Sequence, residues 1–313
     1  MKFREVLCRS ALGVMAALSV TLLVACGGGE RVDPFVPQKI VAFGDESSYI
    51  ASDGRKYTIN AFNTATPPVL DCKLNPIWVQ YLAASFGMSF QQCPPNAQTT
   101  TFDAVNLAAA NARVADVRGA IDNYLASNTV NSKHLFTVYA GQNDVIAVFE
   151  DASISNKVAA VEAIGEALAQ QVNRLALAGG RVLFVPIPDV SLTPYARQQS
   201  AENQALLKTM SAQFNTKLIR FVINDGRAIG LVSAEEMSQV IAANPAFYGY
   251  TNVTAAACSA SMPACTNVDA DLIESARANK GASFFWSGDR YLSPAAHVRL
   301  GQIADTRTRN NPF

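Results

Sequence analysis

The sequence predicts an α/β fold in which a parallel sheet lies between two layers of helix. Three features carry that reading: short apolar runs closed by Gly or Pro, amphipathic stretches of a dozen or more residues, and alternation of the two along the chain. Strands joined through helices of that length pair in parallel by right-handed crossovers, which places helices on both faces of the sheet.

The first run, Lys39-Ile40-Val41-Ala42-Phe43, ends at Gly44-Asp45 and reads as a buried strand leaving the sheet at its carboxyl end. After a stretch rich in Pro, Asn and Thr, the segment Pro76 to Phe86 sets Ile77, Trp78, Tyr81, Leu82 and Phe86 at helical spacing. Val114, Val117, Ile121 and Leu125 form the stripe of a second helix, which leads into a strand from Leu135 to Tyr139 and a stop at Gly141. Val158 to Leu177 is a long amphipathic helix closed by Gly179-Gly180, and Arg181 to Pro186 is a strand again. Ala201 to Val222 reads as helix, Ile229 to Val232 as strand, and Pro294 to Ile303 as a terminal helix with Pro near its first turn. In sheets of this kind the site lies beyond the carboxyl ends of the strands. The loops at Gly44, Asn106, Gly141 and Pro188 and the approach to the last helix are therefore expected to meet.

Ahead of the first strand stands an export signature. Lys2, Arg4 and Arg9 precede an apolar stretch, Ala11 to Val24, that is shorter than the roughly 20 residues of a membrane span. Leu23-Val24-Ala25-Cys26 follows and fits cleavage before Cys26 with acylation of its thiol. The expected organisation is a lipoprotein signal peptide over 1–25, a lipidated tether over 26–37 and one domain over 38–313. No Asp follows the cysteine, which favours the outer membrane, at its periplasmic or surface face, and makes its lipid the first expected partner. Loss of Lys2, Arg4, Arg9 and Glu5 leaves 22 of 25 basic and 24 of 25 acidic side chains. That near-neutral balance gives no electrostatic footprint for nucleic acid.

With Cys8 removed and Cys26 acylated, Cys72, Cys93, Cys258 and Cys265 remain, an even number that suggests disulfides in an exported chain. Of the three connectivities, Cys72 with Cys93 and Cys258 with Cys265 is favoured because each pair brackets a loop-like segment. Two histidines and no CxxC spacing argue against zinc, and neither a metal nor a cofactor is expected.

Four blocks carry a more specific signal. They are Phe43-Gly44-Asp45 after a strand, Asn106-Leu107-Ala108 before a helix, Gly141-Gln142-Asn143-Asp144 after a strand, and Trp286 to His297 near the end. With the stretches Gly54 to Asn60 and Asn244 to Val253, they resemble in order the GDSL (SGNH) hydrolases of the bacterial secreted esterase and lipase branch, over residues 40 to 303. The resemblance implies the SGNH-hydrolase architecture, a flavodoxin-like three-layer α/β/α sandwich, and carboxylic ester hydrolysis. It also implies where the catalytic groups belong. The residue after Phe-Gly-Asp is the family's nucleophilic serine, and here it is Glu46. The second block lends a glycine N–H to the oxyanion at the position of Asn111, a change that a backbone donor can survive. The third lends an asparagine side-chain N–H, present as Asn143. The last block usually reads Asp-x-x-His, and ungapped alignment puts Gly288 at the aspartate and Tyr291 at the histidine.

With Glu46 at the serine position, neither Gly288 nor a neutral Tyr291 supplies the family's base near neutral pH, since a tyrosine titrates at about 10. A carboxylate attacking an ester would form an anhydride that still needs that base. Loss of triad members lowers turnover by about 10⁴ to 10⁶ fold. The expectation is a pseudo-hydrolase in which the Glu46 carboxylate accepts hydrogen bonds from Asn143, nearby backbone N–H groups and the Tyr291 hydroxyl, while the concave site still binds an acyl or glycan ligand. Three alternatives stay open: an active esterase using Ser47 with Asp289 and His297; a surface interaction lipoprotein with the fold as scaffold; and a glycosidase-like carboxylate pair of Glu46 with Asp45 or Asp289. Ser47 reads more simply as a helix N-terminal residue, and His297, about 9 Å along a helix from the family's histidine position, as a helix-face residue. His134 reads as the start of a strand, and Asp144 as the cap of the helix that follows it.

Overall fold

In the computed structural model, which describes residues 34–310 and 313, five strands pair in parallel: β1 (Lys39–Gly44), β2 (Ala104–Asn106), β3 (His134–Tyr139), β4 (Arg181–Phe184) and β5 (Ile229–Leu231). Their order is β2-β1-β3-β4-β5, the flavodoxin-like order. The apolar runs are continuous rather than alternating because the sheet is covered on both faces. Every residue of β1 after Lys39 is buried, and so is every residue of β3 after His134. The expected signal peptide and Cys26 lie outside the described residues. No helix among the described residues is long and apolar enough to cross a membrane.

The covering helices are α1 (Trp78–Ser85), α2 (Val114–Ser127), α3 (Gln142–Glu150), α4 (Lys157–Leu177), α5 (Ala201–Phe221), α6 (Ala234–Ala243) and α7 (Pro294–Arg309). α1 packs on α7, and α4 packs on α2 and α5. α7 runs six residues past Ile303 because its buried stripe continues through Leu300, Ala304 and Thr308, where small and polar side chains hide the hydropathy pattern. Two strands outside the main sheet, β6 (Asn252–Ala256) and β7 (Phe284–Trp286), pair in parallel with each other and bring Ser287 and Gly288 to the site. The disulfides are Cys72–Cys93 and Cys258–Cys265.

Lys56 is an unusual structural element. Its side chain is buried, and Nζ donates to the carbonyl oxygens of Cys72 (2.8 Å), Leu74 (2.9 Å) and Asn75 (2.9 Å). All three ammonium protons are thus taken by backbone carbonyls, which helps to fix the loop between β1 and α1. His297 is likewise buried, on α7, and neither ring nitrogen has a hydrogen-bond partner among the described residues.

Burial first, and then the charge of Lys56, pushes the His297 pKa down to about 3. The unfolded chain binds its proton near pH 6.5, so between those values the native state holds fewer protons than the unfolded one. This stabilising contribution is complete above about pH 6.5 and is lost as the pH falls toward 3. We expect the melting temperature to drop between neutral and mildly acidic pH, and His297→Leu to reduce that drop in parallel thermal melts.

Candidate active site

Strand order reverses between β1 and β3, and the crevice opens where their carboxyl ends separate. A Cβ on Gly44 would lie 2.2 Å from the Tyr139 carbonyl oxygen, so only glycine lets β1 leave this close to β3. The Asp45 N–H then donates to that same carbonyl at 3.0 Å. The chain next makes a turn rather than a helix, correcting the expectation for Ser47: its N–H donates to Asp45 Oδ1 at 2.9 Å, and the Ser48 N–H to the Asp45 carbonyl. Asn106 holds the turn from the neighbouring strand, donating from Nδ2 to the Ser48 carbonyl at 2.7 Å.

Glu46 projects from this turn and is 2% exposed. Oε1 accepts the Asn111 N–H at 2.8 Å, and Oε2 accepts Asn143 Nδ2 at 2.7 Å. Asn111 has φ +59°, a left-handed conformation natural to glycine and tolerated by asparagine, so its N–H keeps its direction without a glycine. Asn143 lies in the first turn of α3, which begins at Gly141. A Cβ on Gly141 would meet the Phe214 ring at 2.2 Å, so the helix can start here only from glycine. The two donors that the family resemblance assigns to an oxyanion are therefore both engaged by the side chain of Glu46.

The last block contributes differently from expectation. The Tyr291 hydroxyl pairs with Arg290 Nε at 3.2 Å and makes no hydrogen bond to Glu46, whose oxygens are turned to Asn111 and Asn143. The Tyr291 ring packs on Tyr57 with centroids 5.1 Å apart. Gly288 is buried, and a Cβ there would come 2.9 Å from the Tyr291 ring. Burial first, with smaller contributions from Glu46 and Asp289 and against Arg290, pushes the Tyr291 phenol up to about 12. It remains a neutral hydroxyl at physiological pH. Burial, and then the adjacent Glu46 carboxylate, pushes Asp45 up to about 8 against the Ser47 N–H and hydroxyl.

Asp144 also departs from expectation. It sits within the first turn of α3, but its Oδ2 accepts the Val114 N–H at 3.0 Å and so caps α2 rather than its own helix. Gln142 and Arg290, which the sequence reading passed over, tie the third block to the last: Gln142 Nε2 donates to the Arg290 carbonyl at 3.0 Å. Their signal in the sequence was adjacency to Asn143 and Tyr291, nothing more.

Asp45, Glu46, Ser47, Gln142, Asn143, Arg290 and Tyr291 leave no space for a water molecule among them. The alternative set is not assembled: His297 bonds neither Ser47 nor Asp289, and Asp289 faces a separate groove. That groove, about 620 Å³, is bordered by Arg197, Ser261, Met262, Gly288, Asp289 and Tyr291. The glycosidase-like pairing lacks an open cleft as well, because the Asp45 carboxyl turns to the Ser47 N–H and the Glu46 carboxyl to Asn111 and Asn143.

Comparison with known proteins adds the family. The family model for GDSL-like Lipase/Acylhydrolase matches residues 40–302. Solved structures similar to this chain include a lipase from a goat rumen metagenome, at 9% identity and TM-score 0.49 over 88% of this chain and 99% of that one. An acetylxylan esterase from Geobacillus stearothermophilus is similar at 10% identity and TM-score 0.49 over 88% and 96%. A member of the lipolytic G-D-S-L family from Veillonella parvula is similar at 10% identity and TM-score 0.44 over 86% and 94%. No curated protein matches the chain. Ordered blocks, a parallel sheet with its site at the β1/β3 crevice, and a family match over most of the length agree: this chain belongs to the GDSL-like lipase/acylhydrolase family.

Proposed function

We propose that this chain is an exported lipoprotein of the GDSL family that has lost ester hydrolysis and binds an acyl or glycan ligand beside its former catalytic centre. The observation that carries the reading is the Glu46 carboxylate held between Asn111 N–H and Asn143 Nδ2. A serine nucleophile is absent from that position, and the donors that would stabilise an oxyanion already have a charged acceptor. Displacing Glu46 would break two hydrogen bonds to a charged group, each contributing about 1.5–3 kcal/mol. The family's histidine base is missing too, because one of the two histidines starts β3 at the far end of the sheet and the other is buried without a hydrogen-bond partner among the described residues.

The groove beside Tyr291 supports retained binding. It offers a cation at Arg197, an anion at Asp289, hydroxyls at Ser259 and Ser261 and an apolar wall at Met262, a mixture suited to a sugar ring or a short acyl group. It does not require the blocked donors.

Fluorophosphonate labelling of the purified chain tests the loss of the nucleophile. The wild type should remain unlabelled after prolonged exposure. Labelling mapped to Ser47 by peptide mass spectrometry would overturn the proposal and place an active serine one residue along.

A further inference from the structure

In a parallel α/β sheet each helix carries the chain back to the starting edge, so helix carboxyl ends and strand amino ends share one pole, opposite the site. At that pole Leu177 ends α4, Phe221 ends α5, Ile223 follows it, and Val36 precedes β1. These apolar side chains are 76%, 42%, 40% and 54% exposed. Asn173 ties two of the ends together, donating from Nδ2 to the Phe221 carbonyl at 2.9 Å and accepting the Ile223 N–H at 2.8 Å. The exposed groups therefore belong to an ordered surface.

Cations are interleaved with them. Four of the five strands begin at or just after a basic residue: Lys39, Lys133, Arg181 and Arg227. None of the four has an ion-pair partner among the described residues. Arg181 lies over the Phe35 ring at 4.1 Å and over Phe313 at 5.4 Å, and Lys133 lies 5.9 Å from Phe35, so the described chain enters its fold through this cationic surface. The acids nearest in sequence to this face are Asp33, three residues before Val36, Asp103, ahead of β2, and Asp225, whose carboxylate accepts the Arg227 N–H.

We infer that this pole is a docking face for an anionic phospholipid bilayer and holds the site pole away from the membrane. Exposed apolar side chains beside unpaired cations combine burial in the interface with attraction to anionic headgroups. The length of chain before the fold fits the same partner: eight residues lie between Cys26 and Phe35, a reach of at most about 30 Å. An acylated Cys26 would keep this pole against the bilayer, and the face would supply the second attachment that a lipid chain alone needs. The orientation rests on that acylation, whereas the affinity of the face does not.

The test uses the unacylated chain from Gly27, since the structural unit begins at Phe35. It is sedimented with vesicles of phosphatidylcholine alone and of an equimolar mixture with phosphatidylglycerol. Partitioning should be about tenfold stronger or more on the anionic vesicles, and Lys133→Glu/Arg227→Glu should remove about tenfold or more of it. Phe221→Trp provides a second readout, because its added fluorescence should be quenched by brominated lipid in the anionic vesicles. Equal partitioning to both vesicle types, or a Phe221→Trp chain whose fluorescence brominated lipid leaves unchanged, would overturn the proposal. Acylation of Cys26 is read separately by palmitate incorporation into the full-length chain in cells.

Discussion

The triple variant Glu46→Ser/Gly288→Asp/Tyr291→His should hydrolyse p-nitrophenyl butyrate about 10² to 10⁴ fold faster than the wild type. Glu46→Ser frees the Asn111 N–H and Asn143 Nδ2, both already held in place by backbone geometry and by the Ala112 carbonyl. Gly288 does not need a left-handed conformation, so its backbone accepts aspartate. A Cβ there would meet the Tyr291 ring at 2.9 Å, and the smaller imidazole of Tyr291→His relieves that contact. The two substitutions are therefore coupled: Gly288→Asp alone should lower the melting temperature, and adding Tyr291→His should restore part of it. The gain stays below the full triad effect of about 10⁴ to 10⁶ fold because Arg290 and Tyr57 remain arranged around a phenol. Values of kcat/KM for the three single variants and the triple, with melts alongside, test the whole scheme.

Lys56→Met should cost about 3–5 kcal/mol of stability. Methionine keeps most of the volume but leaves the carbonyls of Leu74 and Asn75 without the ammonium and that of Cys72 with Gln80 Nε2 as its donor. Burial pulls the Lys56 pKa down, yet the three acceptors require a donor in every direction the ammonium offers. For a domain of this size the loss should lower the melting temperature by about 10 °C at neutral pH. A melt within a degree or two of the wild type would show that water replaces the ammonium.

Much of this architecture was legible in the sequence. β1, β3 and β4 announce themselves as uninterrupted apolar runs because both of their faces are covered, and α4 and α5 are long enough for their stripes to be counted. β2 is three residues long and β6 is rich in alanine, so neither has a periodic signature. α3 starts directly from Gly141, three residues earlier than a helix capped by Asp144 would, because Gln142 to Asp144 carry no apolar stripe. At the site, Glu46, Asn111 and Asn143 were located by the order of the blocks, and the direction of their hydrogen bonds followed from the strand-end geometry. The partners of Tyr291 and Asp144 were misread, since each bonds to a group whose proximity depends on the folded arrangement: Arg290 in one case and the start of α2 in the other. Lys56 and His297 gave no warning in the sequence, because a buried lysine among carbonyls has no local pattern to distinguish it from a surface one.

In the proposed pseudo-hydrolase, Glu46 stands at the nucleophile position and accepts from both oxyanion donors, Asn111 N–H and Asn143 Nδ2. Initial rates of p-nitrophenyl acetate and butyrate hydrolysis by the purified wild type, beside Ser47→Ala, test it most directly. Rates for both proteins should equal buffer at every substrate concentration. Saturable turnover by the wild type that disappears in Ser47→Ala would contradict it.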